Sequence, residues 1–199
     1  MSSIVIKGNT SGQVEIAAPD VAGSTTLTLP TGNGTVITDT APKAGNVLQV
    51  VSTTKTDTFS SSTGGFTDIT GLSVSITPIS TSSKILVMWN VDVGHSSTSS
   101  GVKVRMVRDS TPISIGDQVG TNRARGTSAM FTLYSNVNNT SSNRSGTYLD
   151  SPSTTSAITY KAQGSITGGT YYVNRTGEYN DQAYESTGTS TITVMEIAG

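Results

Sequence analysis

The chain has no cysteine and one histidine in 199 residues. The first absence excludes disulfide scaffolds, thiol nucleophiles, iron–sulfur clusters and cysteine-based zinc sites. The second leaves one imidazole, too few for a histidine-rich metal site within a single chain. Charge is scarce as well: charged residues make up 13% of the chain and the formal net charge is -1, against roughly 25% charged residues in average globular chains. A nucleic-acid-binding surface normally shows a clear basic excess, and this balance argues against one. Long apolar runs are missing. The longest, Ile85–Trp89, falls far short of the roughly 18 residues of a transmembrane helix, so membrane insertion is not expected. Met1–Ile4 shows no basic segment leading into an apolar one, the pattern of a secretion signal.

Serine and threonine fill the space: 30 Ser and 34 Thr come close to a third of the chain. Threonine, valine and isoleucine are β-branched and suit the pleated surface of a sheet, which sets this composition apart from a disordered chain. The apolar residues alternate with polar ones. Ile85, Val87, Trp89, Val91 and Val93 share one face of a strand; Leu72, Val74 and Ile76 alternate with Ser73, Ser75 and Thr77; Val102, Val104 and Met106 alternate with Lys103 and Arg105. Phe131 and Leu133, Ile158–Tyr160, Tyr171–Val173 and Ile192–Met195 extend the set. Period-two alternation predicts half-buried strands, and no window shows helical spacing. The expected fold is all-β: a short-stranded N-terminal anchoring region followed by an antiparallel, jelly-roll-like β-sandwich. The last strand, over Ser190–Ile197, is expected to be central.

Three regions are expected. Residues 1–41 contain four short apolar bursts around Ile4 and Ile6, Val14 and Ile16, Leu27 and Leu29, and Val36 and Ile37, separated by glycine-bearing spacers. Strands this short cannot close a core alone, so Ile4, Ile6, Val14, Ile16, Leu27 and Leu29 are the candidate anchoring and assembly residues. Residues 42–55 read as a linker holding a short strand candidate, and residues 56–199 as the displayed sandwich.

No catalytic constellation stands out. A nucleophilic serine needs a base within hydrogen-bond reach. The one imidazole, His95, lies beside a polar run of serines and is expected to be a solvated loop residue. There is no Gly-x-Ser-x-Gly elbow and no phosphate-binding Gly-Lys-Ser/Thr loop. Glu178, Asp181 and Glu185 gather in one acidic stretch with Tyr179 and Tyr184. Two readings of it stay open: a solvated loop, or a surface whose tyrosine rings stack on sugars while Glu178 and Asp181 take hydrogen bonds. Neither the spacing of a calcium hairpin nor a rigid acid/base pair is present. The chain is therefore expected to be non-enzymatic, without cofactor or metal. Residues 101–150 hold six basic against three acidic residues, and residues 151–199 two against four, a contrast suited to contacts between subunits.

The opening Ser3–Val14, with Ile16–Pro19, Val21–Pro30 and Gly34–Ile37, resembles a segment of tailed-bacteriophage virion structural proteins. The stretches Leu72–Pro78, Ser83–Val87, Val104–Asp109 and Thr191–Ile197 are similar to β-domains of tail-fibre-like and head-decoration-like proteins in phages of aquatic bacteria. The resemblance implies a homotrimeric, fibre-like appendage on the virion surface, docked to other virion proteins by its N-terminal region and in contact with a host surface glycan. Its alternative is a capsid decoration protein. It transfers no catalytic residue. A cysteine-free chain suits assembly in a reducing host cytoplasm.

Overall fold

The structure is a computed structural model, and it describes residues 3–7, 11–17, 42–97, 100–130, 140–183 and 185–199. The chain divides into two compact units, Met1–Val36 and Ile37–Gly199.

In the first unit, β1 (Ser3–Lys7) and β2 (Gln13–Ala17) form an antiparallel hairpin whose register sets Ile4 opposite Ile16 and Ile6 opposite Val14. Gly12, just before β2, has a φ of 79°, a conformation open to glycine at little cost. Val5 is 45% and Ile6 58% exposed. Leu27 and Leu29 lie outside the described residues.

The second unit is built from β3 (Val47–Lys55), β4 (Phe59–Ser61), β5 (Thr67–Ile76), β6 (Lys84–His95), β7 (Val102–Arg108), β8 (Thr111–Ile113), β9 (Ser128–Met130), β10 (Ser141–Asp150), β11 (Ile158–Ile166), β12 (Tyr171–Val173) and β13 (Ser190–Ile197). Every strand pairing is antiparallel, and no helix occurs among the described residues. One sheet runs β3–β13–β6–β10. In it β12 follows β13 along the same edge of β6 and pairs outward with β4. The other runs β5–β11–β7, with β8 and β9 both pairing with β7. The fold is the expected all-β, jelly-roll-like sandwich, and β13 is central between β3 and β6.

The inward faces predicted for β5, β6 and β7, together with one face of β13, form the core. Ile85, Val87, Trp89, Val91 and Val93 of β6 are buried, as are Leu72, Val74 and Ile76 of β5, Val102, Val104 and Met106 of β7, and Ile192 and Val194 of β13. Two aromatics fit against glycines. Trp89 pairs in register with Gly146 of β10, and a Cβ at Gly146 would overlap the indole. Tyr171 lies against Gly164 of the opposite sheet, where a Cβ would stand 2.6 Å from its hydroxyl oxygen. Interiors pack at crystal-like density, so these two rings occupy the space that side chains would otherwise take.

One polar pin joins the sheets, and a second ties β13 to β3 and to the connection from β5 to β6. Buried Asp150 of β10 receives both its carboxylate bonds from Arg108 Nη1 of β7, at 2.9 and 2.8 Å, and a third from Tyr160 Oη of β11 at 2.7 Å. Burial, then the Asp150 carboxylate, pushes the Tyr160 phenol far up. At another point buried Glu196 of β13 accepts from the Gln49 side chain of β3 and from the Ile79 backbone N–H at 2.7 Å. Burial alone would raise the Glu196 carboxyl; the hydrogen bonds from Gln49, Ser83, Ile79 and Ser80 together hold it below its usual range.

Two expectations are corrected. The stretch 42–55 is not simply a linker: β3 occupies Val47–Lys55 and pairs with β13 along its length, because a half-apolar strand beside β13 completes its ladder. His95 is not a solvated loop residue. It is the last residue of β6 and fully buried, since β12 pairs with the end of β6 and sets Tyr171 opposite His95. Phe131 and Leu133 lie outside the described residues.

Replacing Trp89 by alanine should cost about 3–5 kcal/mol, as for other buried aromatic truncations. Gly146→Ala should also destabilise, by about 1–3 kcal/mol, because the indole must move. Urea denaturation of the two variants checks both, and a Trp89→Ala variant as stable as the parent chain would contradict this packing.

Candidate functional site

The acidic stretch singled out in the sequence is the connection from β12 to β13, and a buried asparagine holds its base. Asn174 follows β12 directly with a φ of 62°, a left-handed conformation that asparagine tolerates better than most residues. Its Nδ2 donates to the carbonyls of Lys55 and Asp57, each at 2.9 Å, and its Oδ1 accepts from Ser190 Oγ at 2.6 Å. Its backbone N–H donates to the Asp92 carbonyl, and its carbonyl accepts from Gly188 N–H, both at 3.0 Å. A bridge between Arg175 and Thr187 closes the neck. Burial raises the nearby Asp92 carboxyl, with a bond from Ser141 acting the other way.

Above this neck the Arg175 guanidinium lies 3.9 Å from the centre of the Tyr172 ring and 4.9 Å from that of Tyr179, both within cation–π range. Its Nη1 donates to the carbonyls of Thr176 and Gly177, each at 3.3 Å. The tip is folded by Glu185, whose Oε2 accepts the backbone N–H groups of Asn180 at 2.7 Å and Gln182 at 3.3 Å. The result is an open groove of about 630 Å³ lined by Tyr179, Asn180, Asp181, Gln182, Glu185 and neighbours. Tyr179 is 57% exposed beside it.

The structure brings Tyr179 and Asp181 to this groove and leaves Glu178 out of its lining. Glu178 contributes its backbone carbonyl to Thr176 Oγ1 at 2.7 Å. The side chain of Tyr184 lies outside the described residues. One ring face, two primary amides and two carboxylates along a shallow groove match the groups that bind hydroxyl-rich ligands. Glu185 is committed to folding the tip, so its carboxylate orients the loop. No cluster able to hold a metal ion occurs among the described residues. Sequence reasoning missed Asn174 and Arg175. A left-handed asparagine after a Tyr-Tyr-Val strand was the available signal for the first, and the Arg175 stack depends on how the loop folds back.

No protein-family model matches the sequence, and neither does the sequence of any curated protein. Among solved structures, the chain is similar to one in "Structure of infectious bursal disease virus Gt strain", with a TM-score of 0.41 and 15% identity. The match covers 98% of this chain and 46% of that one. At that distance the likeness assigns neither family nor activity.

Two predictions follow from the loop and its base. Asn174→Ala should cost about 2–3 kcal/mol, because it orphans buried partners. Asn174→Gly, which keeps the backbone conformation and loses the side-chain bonds, should recover little of that; denaturant titration separates the two. The second concerns the single imidazole. Burial holds His95 below its usual value of 6.5, opposed in part by the Ser97 backbone. The unfolded chain therefore takes up this proton before the folded one does. The contribution is full above about pH 7 and is lost as pH falls through 6.5 towards the folded value. Stability should drop between pH 7.5 and 5.5, above the range of the lowered carboxylates, and His95→Gln should flatten that slope. An equal slope in the variant would refute the assignment.

Proposed function

We propose that the chain is a non-enzymatic structural protein of a phage virion. It is a homotrimeric, fibre-like appendage docked to other virion proteins by its N-terminal region, with the sandwich held at the virion surface. The observation behind this reading is the hairpin of β1 and β2. It is a two-stranded ribbon with exposed Val5 and Ile6, in a compact unit separate from the sandwich. Such a ribbon is marginal in water, and burying its apolar residues against a partner at about 25 cal/mol per Å² would stabilise ribbon and attachment together. The resemblance of residues 1–41 to phage virion segments supplies the kind of partner. The groove beside Tyr179 and Asp181 is the surface this reading offers to a host glycan.

The second reading is a capsid decoration protein. Copy number separates the two: a few trimers per particle means an appendage, hundreds of chains a head protein.

Among the described residues, the fully buried apolar core of the sandwich lies between Ile69 and Ala198, with Val51 and Phe59 packed against it. Removing residues 1–41 should therefore leave a folded domain with an unchanged melting temperature that no longer joins the particle. Ile6→Asp should reduce incorporation in the same direction. Normal incorporation of the truncated chain would refute the docking role. Tyr179→Ala should weaken binding to host cells about tenfold without altering incorporation.

A further inference from the structure

The connection from β8 to β9, residues 114–127, leaves and rejoins the same strand. Ile113 of β8 pairs with Met106 of β7, and Ser128 of β9 pairs with Val104. Arg105 sits between those two points, and because Val104 and Met106 are buried in the core, it lies on the outer side of the sheet. A loop whose ends meet this closely is an Ω-loop. Its neck is closed by bonds from Gly116 N–H to the Gly126 carbonyl at 3.3 Å and from Thr127 N–H to the Val104 carbonyl at 2.9 Å. Its tip is folded by Gln118, whose Nε2 donates to the carbonyls of Gly120 at 2.6 Å and Arg123 at 3.1 Å.

At this loop lies a second open groove of about 630 Å³, lined by Arg105, Arg123 and Arg125 with Phe66, Pro112 and Ile115. No acidic residue lines it. Two of the guanidiniums are anchored through Nε. Arg105 Nε donates to the Gln163 side chain at 2.8 Å and Arg125 Nε to the Gly116 carbonyl at 2.7 Å, and the Arg105 guanidinium lies 4.2 Å from the centre of the Phe66 ring. Anchoring at Nε fixes the plane of the group and leaves its two terminal nitrogens, a fork that grips a carboxylate in two bonds. Arg123 makes no side-chain hydrogen bond or ion pair among the described residues. The acid whose charge reaches Arg105, Asp68, is taken by Lys161 at 2.8 Å and Gln163 at 2.6 Å. Asp117, the one acidic residue of the connection, forms no ion pair and is absent from the lining.

We propose that this groove binds an acidic glycan, with the three arginines gripping its carboxylates. The inference goes beyond the function proposed above and does not depend on it. The site shares no lining residue with the groove beside Tyr179 and holds for an appendage and a decoration protein alike. Three positive charges with no carboxylate among them attract an anion, and arginine forks match planar carboxylates. Phe66, Pro112 and Ile115 suit the C–H face of a sugar ring, while the charged groups fix its orientation. A nucleic acid fits less well. It needs rings on which successive bases stack, and the single ring here, Phe66, already carries Arg105. An acidic peptide that adds as a strand needs an open sheet edge, and β8 and β9 occupy that edge of β7.

The test is titration calorimetry of the full chain against an oligogalacturonate, its methyl ester and a poly-glutamate peptide. The oligogalacturonate should bind, and the ester, the same sugar without the charge, should bind about tenfold more weakly or worse. Arg123→Gln combined with Arg125→Gln should lower the affinity for the oligogalacturonate about tenfold with an unchanged melting temperature. Arg123→Gln alone, which breaks no side-chain bond, should lower it in the same direction, and Tyr179→Ala should leave it unchanged. No binding of the oligogalacturonate, equal binding of the ester, or full affinity in either arginine variant overturns the proposal. Poly-glutamate bound as tightly as the sugar overturns the glycan as occupant, and a loss in Tyr179→Ala moves the contact to the other groove. Host-cell binding unaffected by Tyr179→Ala, with oligogalacturonate binding intact, sinks the role of Tyr179 and leaves this site standing.

Discussion

The contact between Trp89 and Gly146 sets the terms for the rest of the sandwich. β6 is the strand on which β10, β13 and β12 all pair, and Trp89 is the largest side chain of its inward row. A side chain opposite it would lift the indole into the second sheet. With glycine there, the ring keeps its buried place in the core. Tyr171 and Gly164 repeat the arrangement between sheets. The polar pin at Asp150 then joins the sheets, and Glu196 ties β13 to β3 and to the connection from β5 to β6, at places where an unpaired buried charge would be costly.

Rigidity of that kind is what lets a loop serve as a contact surface. The connection from β12 to β13 begins and ends on strands of one sheet. Asn174 ties its base to the backbone just after β3 and to Ser190 at the start of β13. Arg175, between two tyrosine rings, and Glu185, on two backbone amides, shape what lies beyond. The groove is thus built by backbone-directed bonds, with Tyr179 and Asp181 along its lining.

In the proposed reading, attachment and display fall on different parts of the chain. The hairpin leaves Val5 and Ile6 exposed, a cost in water that burial against a partner would remove. The loop groove is polar and stable in water as it stands. The low overall charge fits this division, since contacts that depend little on exposed ion pairs change little with salt.

The strand class was legible in the sequence because alternation at period two depends only on which residues face inward. β5, β6 and β7 were read correctly down to their inward residues for that reason, β13 was read as a central strand, and the absence of cysteine bounded the chemistry without any fold. His95 and Asn174 were not legible, and β3 was legible only as a short strand candidate within a linker. Their surroundings come from β12, β13 and β4, strands that are distant in sequence. The arginine groove is the clearest case. The basic excess of residues 101–150 can be counted in the sequence, but Arg105 belongs to β7, and Arg123 and Arg125 to the connection between β8 and β9. Only the pairing of both β8 and β9 with β7, in a register set by burial of the sheet's other face, folds that connection back and brings the three into one groove.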